Sequence, residues 1–194
     1  MLPVILFLIT ASVFGVAAKA TENSSPSPYI YGTLGSEAGR SASDYAAGIR
    51  LELLEVGWDR YEPQEGKFDP VYIADLKRKA AALRAVGMQV DLDFGIQYPP
   101  GWLFRIPNSH YVDQFGDVFS DRLPGMNGVN AIFNAAVRVK QAEYVRQVLK
   151  DLGTDFYAVR LGWGWFGELN FPPNSFADHK NCYWAFDAVA QGKG

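Results

Sequence analysis

Residues 70–94 read Pro70-Val71-Tyr72-Ile73-Ala74-Asp75-Leu76-Lys77-Arg78-Lys79-Ala80-Ala81-Ala82-Leu83-Arg84-Ala85-Val86-Gly87-Met88-Gln89-Val90-Asp91-Leu92-Asp93-Phe94. The first part has apolar residues at Val71, Ile73, Leu76, Ala80 and Leu83, spaced as on one helix face, and Gly87 ends it. The turn Val86-Gly87-Met88 then delivers the chain to a strand, Met88 to Phe94. A helix that feeds a strand through so short a turn is part of a βαβ unit, and βαβ units build parallel sheets.

The same grammar extends in both directions. Strand-like runs precede the helix at Tyr29 to Leu34 and at Gly48 to Val56, and another lies at Phe156 to Gly162. A second helical stretch, Ala135 to Leu152, places Val137, Ala142, Val145, Val148, Leu149 and Leu152 on one face and stops at Gly153. Helix-to-strand turns are short, whereas the strand-to-helix loops Gly57 to Asp69 and Gly95 to Asn134 are long and rich in Trp, Tyr, Pro and Asn. Long loops at one end only predict the catalytic face of a TIM (β/α)8 barrel. An open doubly wound sheet is the alternative, but the glycines of Gly32 to Gly39 have the wrong spacing for a dinucleotide fingerprint. A barrel takes about 250 residues. The expectation is an α/β chain holding about four βα units, the N-terminal half of a barrel and a fragment of a larger enzyme, since a half-barrel leaves two sheet edges unpaired.

Residues 1–20 combine an apolar run, Pro3 to Val16, with a small-residue cleavage site, Ala18-Lys19-Ala20, and read as a secretory signal peptide. Residues 21–28 are a polar, proline-broken linker, leaving 29–194 for the barrel domain. Export to the exterior, the periplasm or the cell surface follows, with no stable membrane contact after cleavage; an uncleaved anchor is the alternative. The net charge of −3 and the lack of a basic run argue against nucleic acid as a partner. Cys182 is the single cysteine, so no internal disulfide exists, and His110 and His179 lie far apart in sequence. No metal ligands and no cofactor are expected. Aromatics make up 14% of the chain. Many fall in the long loops, which favours a binding surface and a carbohydrate partner.

The loop after the last strand reads Trp163-Gly164-Trp165-Phe166-Gly167-Glu168-Leu169-Asn170-Phe171-Pro172-Pro173. Aromatic faces stack on sugar rings, and a carboxyl among aromatics has its pKa raised, so it can serve as an acid near neutral pH. Barrel catalytic groups lie at strand C-termini, which is where Glu168 stands. Trp58, Trp102, Trp163 and Trp165 are sugar platforms or core, and at least two are expected to be platforms. Asp93, sharing a strand face with Asp91, is a substrate ligand or half of a structural pair with an arginine. Asn170 offers an amide to the substrate, and the Gly95 to Asn134 loop is expected to wall the sugar site.

The strip Trp58-Asp59-Arg60-Tyr61-Glu62-Pro63-Gln64-Glu65-Gly66-Lys67-Phe68-Asp69 resembles the second βα loop of clan A glycoside hydrolases, above all the family 42 and family 35 β-galactosidases. Tyr98-Pro99-Pro100-Gly101-Trp102-Leu103 and Asn130-Ala131-Ile132-Phe133-Asn134 are similar to further family 42 stretches, so the likeness runs from about Tyr29 to Pro173. The resemblance implies a retaining glycoside hydrolase acting on a β-galactoside-like substrate, with Glu168 as general acid/base, Arg50 bracing the nucleophile, and the nucleophile on a later strand. Gly167 stands where the clan has asparagine. Gly167-Glu168-Leu169 also resembles the segment around the acid of β-amylases, which keeps an α-glucan substrate open. A non-catalytic carbohydrate-binding protein on the same scaffold is the further alternative.

Overall fold

A computed structural model describes residues 29–35, 39–119, 128–162 and 172–193. Four parallel strands form one sheet: β1 (Gly32–Thr33), β2 (Leu51–Glu55), β3 (Gln89–Asp93) and β4 (Ala158–Arg160), in the spatial order β1-β2-β3-β4. Helix α1 (Ser41–Ala46) lies between β1 and β2 in sequence, and the short α2 (Trp58–Tyr61) follows β2. The long helices are α3 (Pro70–Ala85) and α4 (Ala135–Leu152). Sequential strands adjacent in space, parallel and joined through helices, make this part of an α/β barrel.

Local chemistry sets the boundaries. The Asp69 carboxylate accepts from the Val71 and Tyr72 amides, and Pro70 occupies the first helical position of α3. Asn134 caps α4 in the same way, accepting from Ala136 and Val137. Gly153, at φ 82°, closes α4 in a conformation that disfavours a side chain.

Strand alternation sorts the side chains into two faces. Leu54 of β2 and Val56 just after it, with Val90 and Leu92 of β3 and Phe94 just after it, pack against Leu76, Ala80 and Leu83 of α3 and Val137, Tyr144 and Val148 of α4. That is the principal core. Val159 is in register with Leu92, on the same helix side, yet is about half exposed.

The strip from Trp58 to Asp69 is a structural device. Glu62 is buried; its carboxylate accepts from Trp58 Nε1 at 2.9 Å and from the Gly66 amide at 2.8 Å, while its carbonyl accepts from Trp102 Nε1 at 3.0 Å. Trp58 stacks on Tyr144 with centroids 4.5 Å apart, and Tyr144 donates to the Phe94 carbonyl at 2.6 Å. One glutamate thus ties two loops to the helix layer.

A second, smaller cluster joins distant segments. Strands β5 (Ser175–Phe176) and β6 (His179–Lys180) form an antiparallel hairpin whose turn residues Ala177 and Asp178 both have positive φ, as a tight hairpin turn requires. Phe176, Cys182 and Trp184 pack on Tyr111 and Phe119 from the loop between β3 and α4. Gln114 binds the Asn181 carbonyl and the Tyr183 amide at 2.7 and 2.8 Å.

Candidate active site

The face opposite the helices carries Glu55, Asp91, Asp93 and Arg160. The register aligns Glu55 of β2, Asp93 of β3 and Arg160 of β4 in one transverse row at the C-terminal ends of the strands. Leu53, Asp91 and Ala158 form the row below. In a barrel this face and this end hold the chemistry.

Asp93 is fully buried. It accepts from the Gly95 amide at 2.8 Å and from Gln97 Nε2 at 3.0 Å, and Arg160 Nη1 lies 3.6 Å from it. Tyr98 donates its hydroxyl to Glu55 at 3.1 Å. Burial first, and the Glu55 charge next, push the Tyr98 phenol above its ordinary pKa, so it remains a donor. Asp91 has its carboxyl raised by burial first and by the Asp93 charge next, with Arg160 pulling the other way. The arrangement is a row of hydrogen-bond acceptors and donors at the strand ends.

Asp91 supplies a pH test. Its folded pKa lies above the ordinary 3.8, so between those values the folded chain holds more protons than the unfolded one. Stability from this group is present below pH 3.8 and is lost as pH rises through the raised value. Asp91→Asn is expected to raise the melting temperature at pH 7 by roughly 1–3 °C, a modest shift because the group is partly solvated. The gain should shrink as the pH falls towards 3.8, and a gain independent of pH would contradict this account.

Four of the eight residues expected at the site fall among the described residues. Glu168, Trp163, Trp165 and Asn170 lie outside the described residues. Asp93 lies in the row. Arg50 does not: it precedes β2, at the opposite end from the row, with its guanidinium over the Tyr45 ring and bonded to the Tyr45 and Ile49 carbonyls. That placement corrects its expected role as a brace for the nucleophile. Trp58 and Trp102 are corrected from platforms to core, because both rings are buried and both indole N–H groups are spent on Glu62. The described residues of the Gly95 to Asn134 loop, which leave out 120–127, are likewise mostly packing. Tyr111, Phe119 and Asn130 are buried, Asn134 caps α4, and Gly95, Gln97 and Tyr98 are bonded to the row.

Sequence reasoning missed Glu55 and Arg160 as site residues. The signal was available, since each lies at the C-terminal end of its strand and shares strand parity with Asp93 once the parallel register is drawn. A cavity of about 210 Å³ lined by Glu65, Trp102, Lys140 and Glu143 is a weaker candidate. It opens between the β2 loop and α4, and Lys140 already pairs with Glu65 and Glu143 at 3.1 Å each.

Comparison with solved structures returns carbohydrate-active barrels. The catalytic domain of β-amylase from Paenibacillus polymyxa matches 84% of this chain and 44% of its own, at TM-score 0.57 and 14% identity. A β-galactosidase from the Antarctic haloarchaeon Halorubrum lacusprofundi matches 73% of this chain and 22% of its own, at TM-score 0.51 and 19% identity. A β-galactosidase from Bacillus circulans sp. alkalophilus matches 69% and 20%, at TM-score 0.52 and 14% identity. The chain therefore spans between a fifth and under half of these proteins, and at such identities the likeness establishes the barrel fold. No protein-family model matches the chain, and no curated protein matches it by sequence.

Proposed function

We propose that this chain is part of a retaining glycoside hydrolase acting on a β-galactoside-like substrate, exported by its N-terminal leader. The observation that carries the reading is the row Glu55–Asp93–Arg160, with Tyr98 bonded to it, at the C-terminal ends of parallel strands. The barrel likeness to β-galactosidases supports the same reading. In it, Glu168 in the loop after β4 protonates the leaving oxygen and then activates water. A second carboxylate about 5–5.5 Å away, from a further strand, attacks the anomeric carbon. Glu55 and Arg160 orient hydroxyls of the bound sugar, the buried Asp93 holds Arg160 in place as its ion-pair partner, and Trp163, Trp165 and Asn170 complete the subsite.

The test uses the complete enzyme. Glu168→Ala should lower turnover on unactivated glycosides by about 10²–10⁴-fold while sparing activated aryl glycosides, and azide should restore the rate as a glycosyl azide. Equal loss on all substrates without rescue would remove Glu168 from that role. A β-amylase-like reading is favoured by one observation, the 84% of this chain matched by the Paenibacillus β-amylase domain. Hydrolysis of an α-glucan in preference to an aryl β-galactoside would establish it. Sugar binding without turnover would mark a carbohydrate-binding protein.

A further inference from the structure

The small cluster that joins the β3–α4 loop to the β5–β6 hairpin has chemistry the sugar site does not use. One carboxylate oxygen each from Asp113 and Asp117 and a ring nitrogen of His179 lie within 4.8 Å of one another. Asp113 is 1% exposed. Its Oδ1 accepts from the Phe115 and Asp117 amides, both at 2.9 Å, which locks the carboxylate in place. Its Oδ2 is buried and has no hydrogen-bond partner. The nearby Cys182 thiol, a weak donor, is directed at the His179 carbonyl, 3.8 Å away. A buried carboxylate oxygen without a partner carries a large desolvation cost, which a cation would offset.

We propose that Asp113, Asp117 and His179 form a binding site for a divalent transition-metal ion, with Zn2+ the best fit. Two carboxylate oxygens and one imidazole nitrogen suit Zn2+ or Mn2+, whereas Ca2+ and Mg2+ prefer oxygen alone. Three protein ligands leave a fourth position for water. The imidazole is held for the task by stacking on Phe115, with centroids 4.0 Å apart and 17° between planes. Its Nδ1 lies 2.8 Å from Asp117 Oδ2. Two ligands at ~2.0–2.1 Å from one tetrahedral ion sit roughly 3.3 Å apart, so this pair need open by only about half an ångström. The ion would clip two segments far apart in sequence, the kind of long loop whose closure gains most from a crosslink. This inference is independent of the glycosidase reading.

The experiment is calorimetric titration of the full chain, stripped with a chelator, with ZnCl2, alongside thermal melts. One Zn2+ per chain is expected, with a melting temperature raised by roughly 5–10 °C at 100-fold excess over the dissociation constant. Mg2+ and Ca2+ should bind at least tenfold more weakly. Asp113→Asn and His179→Ala should each weaken Zn2+ binding at least tenfold. Asp113 also holds backbone amides; if Asp113→Asn fails to fold, His179→Ala, on the exposed hairpin, decides alone. No stoichiometric Zn2+ binding, or a His179→Ala variant that melts cooperatively and binds Zn2+ like the parent, would overturn the proposal. The cluster would then be an Asp117–His179 ion pair beside a loop-capping aspartate.

Discussion

Gly95→Ala should abolish the cooperative melt of this chain. Gly95 follows β3 where the chain crosses the exit of β2, and a Cβ built on it lies 1.3 Å from the Val56 carbonyl oxygen. The obstacle is backbone, which cannot rotate aside as a side chain can. The residue also sits at φ 61°, which L residues adopt at a cost. The Gly95 amide donates to Asp93, so any shift disturbs the charged row as well. The expected destabilisation exceeds ~4 kcal/mol, a large part of the 5–15 kcal/mol that holds a domain together. Gly101→Ala is the control, because a Cβ there meets nothing within 4 Å. It should stay within about 0.5 kcal/mol of the parent. Equal melts for the two variants would show that Gly95 does not lie against the Val56 carbonyl as described.

Trp58→Ala has the next largest effect, on stability rather than on sugar binding. The ring is fully buried, stacked on Tyr144 and edge-on to Trp102 at 6.2 Å. Removing it leaves a cavity beneath α4 and strips the buried Glu62 carboxylate of one donor. Truncations of buried tryptophan typically cost 3–5 kcal/mol, here equivalent to a fall of roughly 10 °C or more. Molecules that remain folded should bind carbohydrate as the parent does. Weaker binding with an unchanged melt would return Trp58 to the role of sugar platform.

The two tryptophans show where sequence reasoning stops. Trp58 and Trp102 lie in long, aromatic loops at the end of the sheet expected to bind sugar, and loop aromatics there read as platforms. Their fate depended on Glu62, whose carboxylate and carbonyl draw both indoles inward. Nothing in local spacing distinguishes an indole N–H that meets a buried glutamate from one that meets solvent. Arg50 failed for a related reason. It shares strand parity with Leu54 and Val56 on the helix side, not with Glu55, and the start of β2 at Leu51 leaves it beside α1 and Tyr45.

Helices α3 and α4, the strands beside them and their parallel sense follow from local sequence. Periodicity, the caps Asp69 and Asn134, and stops at Gly87 and Gly153 are local, and short helix-to-strand turns leave one direction for the next strand. Which polar groups meet depends on how distant segments pack. Glu55, Asp93 and Arg160 form a row because the register of three strands aligns them. Asp117 and His179, 62 residues apart, come within 2.8 Å because Phe176 and Trp184 pack on Phe119 and draw the hairpin onto the loop. Such contacts depend on burial shared between segments distant in the chain, which no single segment encodes.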